Sequence, residues 1–172
     1  MYYMMNCARP ATARTIGQGP GLKTEPWIFG RKLAFAVPEP LVYMLERGEG
    51  NNLLPMYTEG EPIIRQDLLD ALQEAGADNL DLYRAIVRDP AAGQEWNNYW
   101  AFNVLGLVSA GVETPALEID ESRAMGLLLF RLVEAPSIIV VDERVKNAVQ
   151  RRGIAGVVFE PGAPGTEEKT GQ

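Results

Sequence analysis

Histidine is absent from this 172-residue chain, and cysteine occurs once, at Cys7. The first absence excludes Ser-His-Asp triads, Cys-His dyads, imidazole shuttles and zinc sites of the usual His or Cys type. The second excludes an internal disulfide. Cys7 has no imidazole to activate it and reads as a small structural thiol rather than a nucleophile. Positive charge is also in deficit: 16 Lys and Arg stand against 23 Asp and Glu, for a net charge of -7. Such a balance repels a phosphate backbone, so no nucleic-acid partner is expected, and a basic protein surface is the favoured counterpart. No stretch approaches the roughly 18 apolar residues of a membrane span. The opening MYYMMNCARP lacks the basic and apolar regions of a secretory signal. A cytoplasmic protein without membrane contact is expected.

What is present is enough apolar material, 47% of residues, for a chain of this length to bury roughly 70% of its unfolded surface in one core. The expectation is therefore one α+β domain over residues 1–161, followed by a disordered tail over 162–172 that carries no apolar anchor beyond Ala163. Met1–Met5 reads as a first strand, and residues 8–25, rich in Gly, Pro, Ala and Thr, as loop. Trp27–Phe29 reads as a short strand ending at Gly30, Leu41–Glu46 as a strand or a helical turn, and Leu53–Tyr57 as a further short strand. From Pro62 the apolar period lengthens: Ile64, Leu68, Ala71, Leu72 and Ala75 share one stripe before Gly76, which predicts a helix over 63–75.

Asn79–Arg88 and Trp96–Val108 predict a β-hairpin around the turn-rich DPAAGQE, with Trp100, Phe102 and Val104 facing the core and Tyr99, Ala101 and Asn103 facing away. Leu127–Val133 resumes as a strand. The C-terminal third then punctuates itself as strand, helix, strand: Ser137–Val141 is β-branched, Asp142 suits an N-cap, Gly153 suits a stop, and Gly156–Glu160 returns as a strand. This unit adds a parallel pair through a short crossover if its strands are neighbours in one sheet. The sheet as a whole is expected to be mainly antiparallel.

Chemistry is sparse. The glycines of GQGPG at 17–21 lack the Lys-Ser/Thr and following helix of a phosphate loop and read as a turn. Glu118, Asp120 and Glu121 lie close together in LEIDES, but without the ligand spacing of a cation loop they read as a solvated acidic segment. No metal or cofactor is expected. Trp96, Tyr99, Trp100 and Phe102 crowd one strand, as core packing or as an aromatic contact surface.

The run PIIRQDLLDALQEAGADNLDLYRAIVRDPAAGQEWNNYWAFNVLGLV, followed by EIDES, LFRL, IIVVDERVKNAV and GVVFEP, resembles the MXAN-type immunity domain of bacterial polymorphic toxin systems, long catalogued as a domain of unknown function. The likeness covers about residues 60–161, with MYYMM and WIFGRKL similar to the family's opening strand and Trp-x-x-Gly element. The chain departs from the family in its short connection between Ser122 and Phe130 and in Arg65, where a capping Ser or Asp is usual. The resemblance implies a non-catalytic inhibitor, monomer or homodimer, that binds a cognate toxin encoded by an adjacent gene. Other classes compatible with the residues are a carboxylate-dependent hydrolase using Glu118, Asp120 and Glu121, and a scaffold module unrelated to toxins. For partner binding, the irregular acidic loop with Glu113, Glu118, Asp120 and Glu121 is the expected steering element, and Trp96 and Tyr99 of the neighbouring hairpin are the expected anchors. The helix acids Asp67, Asp70 and Glu74 are the alternative steering group.

Overall fold

The computed structural model describes residues 1–22, 27–48, 50–110, 118–119, 122–124 and 126–164. Among them the strands are β1 (Tyr2–Cys7), β2 (Ile16–Gln18), β3 (Leu41–Leu45), β4 (Met56–Tyr57), β5 (Ile63–Arg65), β6 (Leu80–Asp89), β7 (Gln94–Val104), β8 (Leu107–Val108), β9 (Glu118–Ile119), β10 (Leu129–Leu132), β11 (Ile139–Asp142), β12 (Val157–Pro161) and β13 (Ala163–Pro164). Helix α1 (Gln66–Glu74) lies between β5 and β6, and α2 (Glu143–Arg151) between β11 and β12.

The C-terminal capping signals are realised. The Asp142 side chain accepts from the Arg144 amide, 2.9 Å away, satisfying one of the donors that a helix start leaves open. Gly153, just past the end of α2, takes φ +62°, the left-handed conformation that closes a helix at low steric cost. The expected parallel pair does not form directly. The five-stranded sheet runs β12-β1-β11-β10-β8, so β1 lies between the two strands and is antiparallel to both. Tyr2, Tyr3, Met5 and Cys7 of β1 are all buried. A strand apolar on both faces is best satisfied in a sheet interior.

The second sheet, β2-β3-β6-β7-β5-β4, holds the hairpin in its centre. Its strands are antiparallel except β3 and β6, which run parallel. The fold is thus α+β, mixed but mostly antiparallel, with two helices. The main core joins Phe102, Val104, Ile63 and Ile64 of this sheet to Leu68 and Leu72 of α1, Val145 and Val149 of α2, and Tyr3, Met5, Ile139 and Val141 of the other sheet. A smaller cluster, centred on Tyr2, Phe130 and Val140, lies on the outer face of the five-stranded sheet. The Asn79 side-chain amide bridges the Leu105 and Leu129 carbonyls at 2.7 and 2.8 Å, where the chain crosses from one sheet to the other.

Several expected boundaries move. The helix predicted from residue 63 begins at Gln66, because Ile63 and Ile64 pair with Ala101 and Trp100 as β5. These β-branched side chains are fully buried and better suited to a pleated surface than to a first helical turn. Arg65 occupies the N-cap without a capping bond and grips Asp67 instead, at 2.7 Å. The hairpin's second strand stops at Val104 rather than Val108, Leu53–Tyr57 contributes only β4, and the supposed loop over 8–25 contains β2. Gly162 donates to the Tyr2 carbonyl and β13 pairs with β9, so the chain stays paired as far as Pro164. The rest of the expected tail lies outside the described residues.

Trp27–Phe29 is a turn, not a strand. Trp27 is completely buried edge-on against Tyr83, with ring centres 5.6 Å apart. Gly30, at φ +64°, brings its backbone against Gly106, whose amide donates to the Gly30 carbonyl at 2.9 Å. A Cβ on Gly30 would lie 2.8 Å from the Gly106 carbonyl carbon and oxygen. This explains the glycine three residues after Trp27: it lets the turn lie on the crossing point between the sheets. Gly30→Ala is expected to cost roughly 1–3 kcal/mol through left-handed strain and collision. Thermal unfolding checks it, and an unchanged midpoint would show that the close approach does not contribute to stability.

Candidate partner-binding surface

Two predicted anchors part company. Tyr99 is a core residue: it is 1% exposed, its hydroxyl donates to the Leu54 carbonyl at 2.7 Å, and its ring tilts against Tyr57. Burial pushes its phenol well above the ordinary tyrosine range. It cannot anchor a partner without unfolding. Trp96 is half-buried and packs on the same core. The cause is an irregularity in the hairpin register: Ala85 pairs with Tyr99, but Val87 pairs with Trp96. The extra residue in β7 places Trp96 and Tyr99, three positions apart, on one face, and that face is the covered one. Asn97 and Asn98, at the irregularity, are exposed.

The expected alternation along β7 also fails, because Tyr99, Ala101 and Asn103 are as buried as Phe102 and Val104. A central strand covered on both sides loses its polar face. Trp100, expected in the core, is the half-buried residue of this set. Its indole N–H donates to Gln66 Oε1 at 2.5 Å, and Gln66 Nε2 donates to Asp70 Oδ1 at 2.7 Å. This relay from α1 sets the ring's orientation at the edge of the helix.

Beyond that edge the sheet face is only partly covered. Pairing places Ile86 beside Val42, Arg88 beside Met44, Leu82 beside Phe102 and Arg84 beside Trp100. Strand alternation then puts Val42, Met44, Leu82, Ile86 and Trp100 on one face. All five are half-buried, whereas Leu41, Tyr43, Leu45, Ala85 and Val87, on the opposite face, are buried. Two arginines share this face: Arg84, between Leu82 and Ile86, is exposed with its amide donating to Glu39 Oε1 at 2.6 Å, and Arg88, beside Met44, pairs with Glu95 at 2.6 Å. Apolar side chains interleaved with charged ones are common on non-obligate protein interfaces. Val42, Met44 and Ile86 carry no sequence mark beyond alternation, since which phase a helix covers depends on where α1 lands.

Of the acidic loop, Glu118 falls in β9 opposite Ala163, and Glu113, Asp120 and Glu121 lie outside the described residues. The alternative acids have internal partners: Asp67 pairs with Arg65, Asp70 with Arg152, and Glu74 with Arg151 and Arg152, the last at 2.8 Å. Asp70 and Glu74 tie α1 to α2, and with Asp67 held by Arg65 each of these acids is already matched within the chain. Cys7 is buried, and burial raises its thiol to about 11, far from a nucleophile's range. Among the described residues, no three Cys, Asp or Glu side chains converge as metal ligands, and no helix is long and apolar enough to cross a membrane.

Compared with protein-family models and with curated proteins, the chain matches none. The resemblance to the immunity domain rests on the motifs quoted above.

Proposed function

We propose that this chain is an immunity protein, which binds a cognate bacterial toxin and neutralises it by occlusion rather than by chemistry. The observation that carries the reading is the partly open apolar face of β3, β6 and β7, bordered by Trp100 in a set orientation. An aromatic held by a hydrogen bond at the edge of an apolar patch loses little side-chain freedom on docking. The net charge of -7 suits a basic partner surface, so the toxin is expected to present a basic face with an apolar centre. The motif resemblance supplies the class of partner: the product of an adjacent toxin gene, met in the cytoplasm, with no cofactor involved.

Co-expression of this chain with the adjacent gene's toxic product tests the reading directly, and protection of the host is the expected result. Met44→Lys adds a second cation beside Arg88 on this face, at a half-buried site. It is expected to weaken the purified complex by about 2 kcal/mol, roughly 30-fold, with a melting temperature close to wild type. Unchanged affinity would remove this face from the interface; absence of protection by the wild type would remove the immunity reading.

A further inference from the structure

On the other side of β3 from Met44, a cavity of about 310 Å³ opens at the β2 edge, lined by Arg9, Thr15, Ile16, Gly19, Tyr43 and the turn Glu59–Glu61. Its polar groups are unusual in being unmatched. Glu61 is 6% exposed, yet among the described residues no cation pairs with it and no donor bonds to its carboxylate. Tyr43 is 2% exposed, and its hydroxyl is buried without a hydrogen-bond partner. Arg9 is at the same cavity but is engaged by Glu59, leaving two carboxylates against one guanidinium. The Tyr43 hydroxyl is a buried group without a partner, where such groups are nearly always satisfied, and the Glu61 carboxylate opens onto the cavity without a counter-charge. Glycine at position 19 maintains the space: a Cβ there would come 3.0 Å from Glu61 Oε2 and 3.9 Å from the Tyr43 ring.

We infer that this cavity receives an arginine side chain presented by the bound partner, with the guanidinium paired to Glu61 and donating to the Tyr43 hydroxyl oxygen. The inference rests on the proposed inhibitory role for its source of arginine, but not on the open sheet face. A guanidinium suits the cavity better than an ammonium because its planar fork can bond a carboxylate with two N–H groups, donate a third to the phenol and lie against the aromatic ring. Burial, aided by Glu61's negative charge beside it, holds the Tyr43 phenol protonated far above the ordinary tyrosine range. The phenolic oxygen therefore remains a neutral acceptor at any working pH. The net negative lining also agrees with an acidic chain recognising a basic partner.

Glu61→Gln tests the site. Because the wild-type carboxylate makes no hydrogen bond or ion pair within the chain's described residues, the variant is expected to fold with an unchanged melting temperature, which separates binding from stability. Against the adjacent gene's toxin, Glu61→Gln is expected to lose at least 10-fold in affinity, and Gly19→Ala, which crowds the carboxylate without removing its charge, is expected to lose affinity as well. In parallel, N-acetyl-arginine amide is titrated into the free protein and followed by amide chemical shifts. Saturable shifts confined to Thr15, Gly19, Tyr43 and Glu61, absent in Glu61→Gln and weaker with the lysine analogue, are expected. If the toxin binds Glu61→Gln as tightly as wild type, the arginine site is overturned while the immunity reading stands. If wild type binds no toxin, the immunity reading falls and with it the partner as source; shifts with the arginine probe would then support the guanidinium pocket alone. No shifts, or equal shifts with lysine, would overturn the pocket.

Discussion

Phe102→Ala is expected to lower unfolding stability by about 3–5 kcal/mol, the range for removing a large aromatic from a filled core. Phe102 is 1% exposed, stands beside Leu82 across the hairpin, and belongs to the cluster that includes Val145 and Val149 of α2. Its amide donates to the Pro62 carbonyl, so the backbone at this point is tied to the segment leading into β5 and resists collapse into the vacated volume. Limited collapse puts the cost toward the upper end of that range. Chemical denaturation measures it. A loss below about 1 kcal/mol would mean that α1 and α2 can close over the gap, and that the two-sheet core is far softer than its burial implies.

The elements most legible in the sequence were those whose ends carry local chemistry. Asp142 and Gly153 bound α2 through a side-chain cap and a left-handed stop, both encoded within a few residues. Gly76, at φ +95°, likewise ends α1. The start of α1 was not legible, because Ile64 fits the helical stripe by spacing while its actual neighbour, Trp100, is 36 positions away. The same holds for β1, whose place between β11 and β12 is a long-range choice made by burial on both faces. At the candidate surface, the hairpin was legible but its faces were not. The register irregularity that sends Tyr99 inward leaves only two exposed asparagines as its trace. The unmatched Glu61 was invisible for a different reason: an acid without a partner differs from a solvated acid only in what the fold brings around it.

Arg14→Ala is expected to cost about 3–5 kcal/mol, as loss of one member of a buried ion pair does. Arg14 and Asp89 are 9% and 5% exposed, with Nη1 and Oδ2 2.8 Å apart. Arg14 also donates to the Glu46 and Gly50 carbonyls, and its own carbonyl accepts from the Tyr57 hydroxyl. Asp89 in turn accepts from the amides of Ala91 and Ala92. One guanidinium thus joins the N-terminal loop, the connection after β3 and the tip of the hairpin, segments far apart in sequence. Without it the Asp89 carboxylate stays buried with only backbone donors. The hydrogen bond from Arg14 is the main influence holding the Asp89 carboxyl below its ordinary value of 3.8. For an acid whose folded pKa is depressed, the stabilisation is present above the unfolded pKa and disappears as pH falls through the folded one. The stability gap between wild type and Arg14→Ala should therefore be full at pH 7 and narrow once pH drops below about 4. Urea denaturation of both proteins from pH 7 to pH 3 measures the gap. A gap that stayed constant across that span would assign the loss to the two carbonyl bonds and the packing of the arginine stem, and would leave the charge pair itself without net effect.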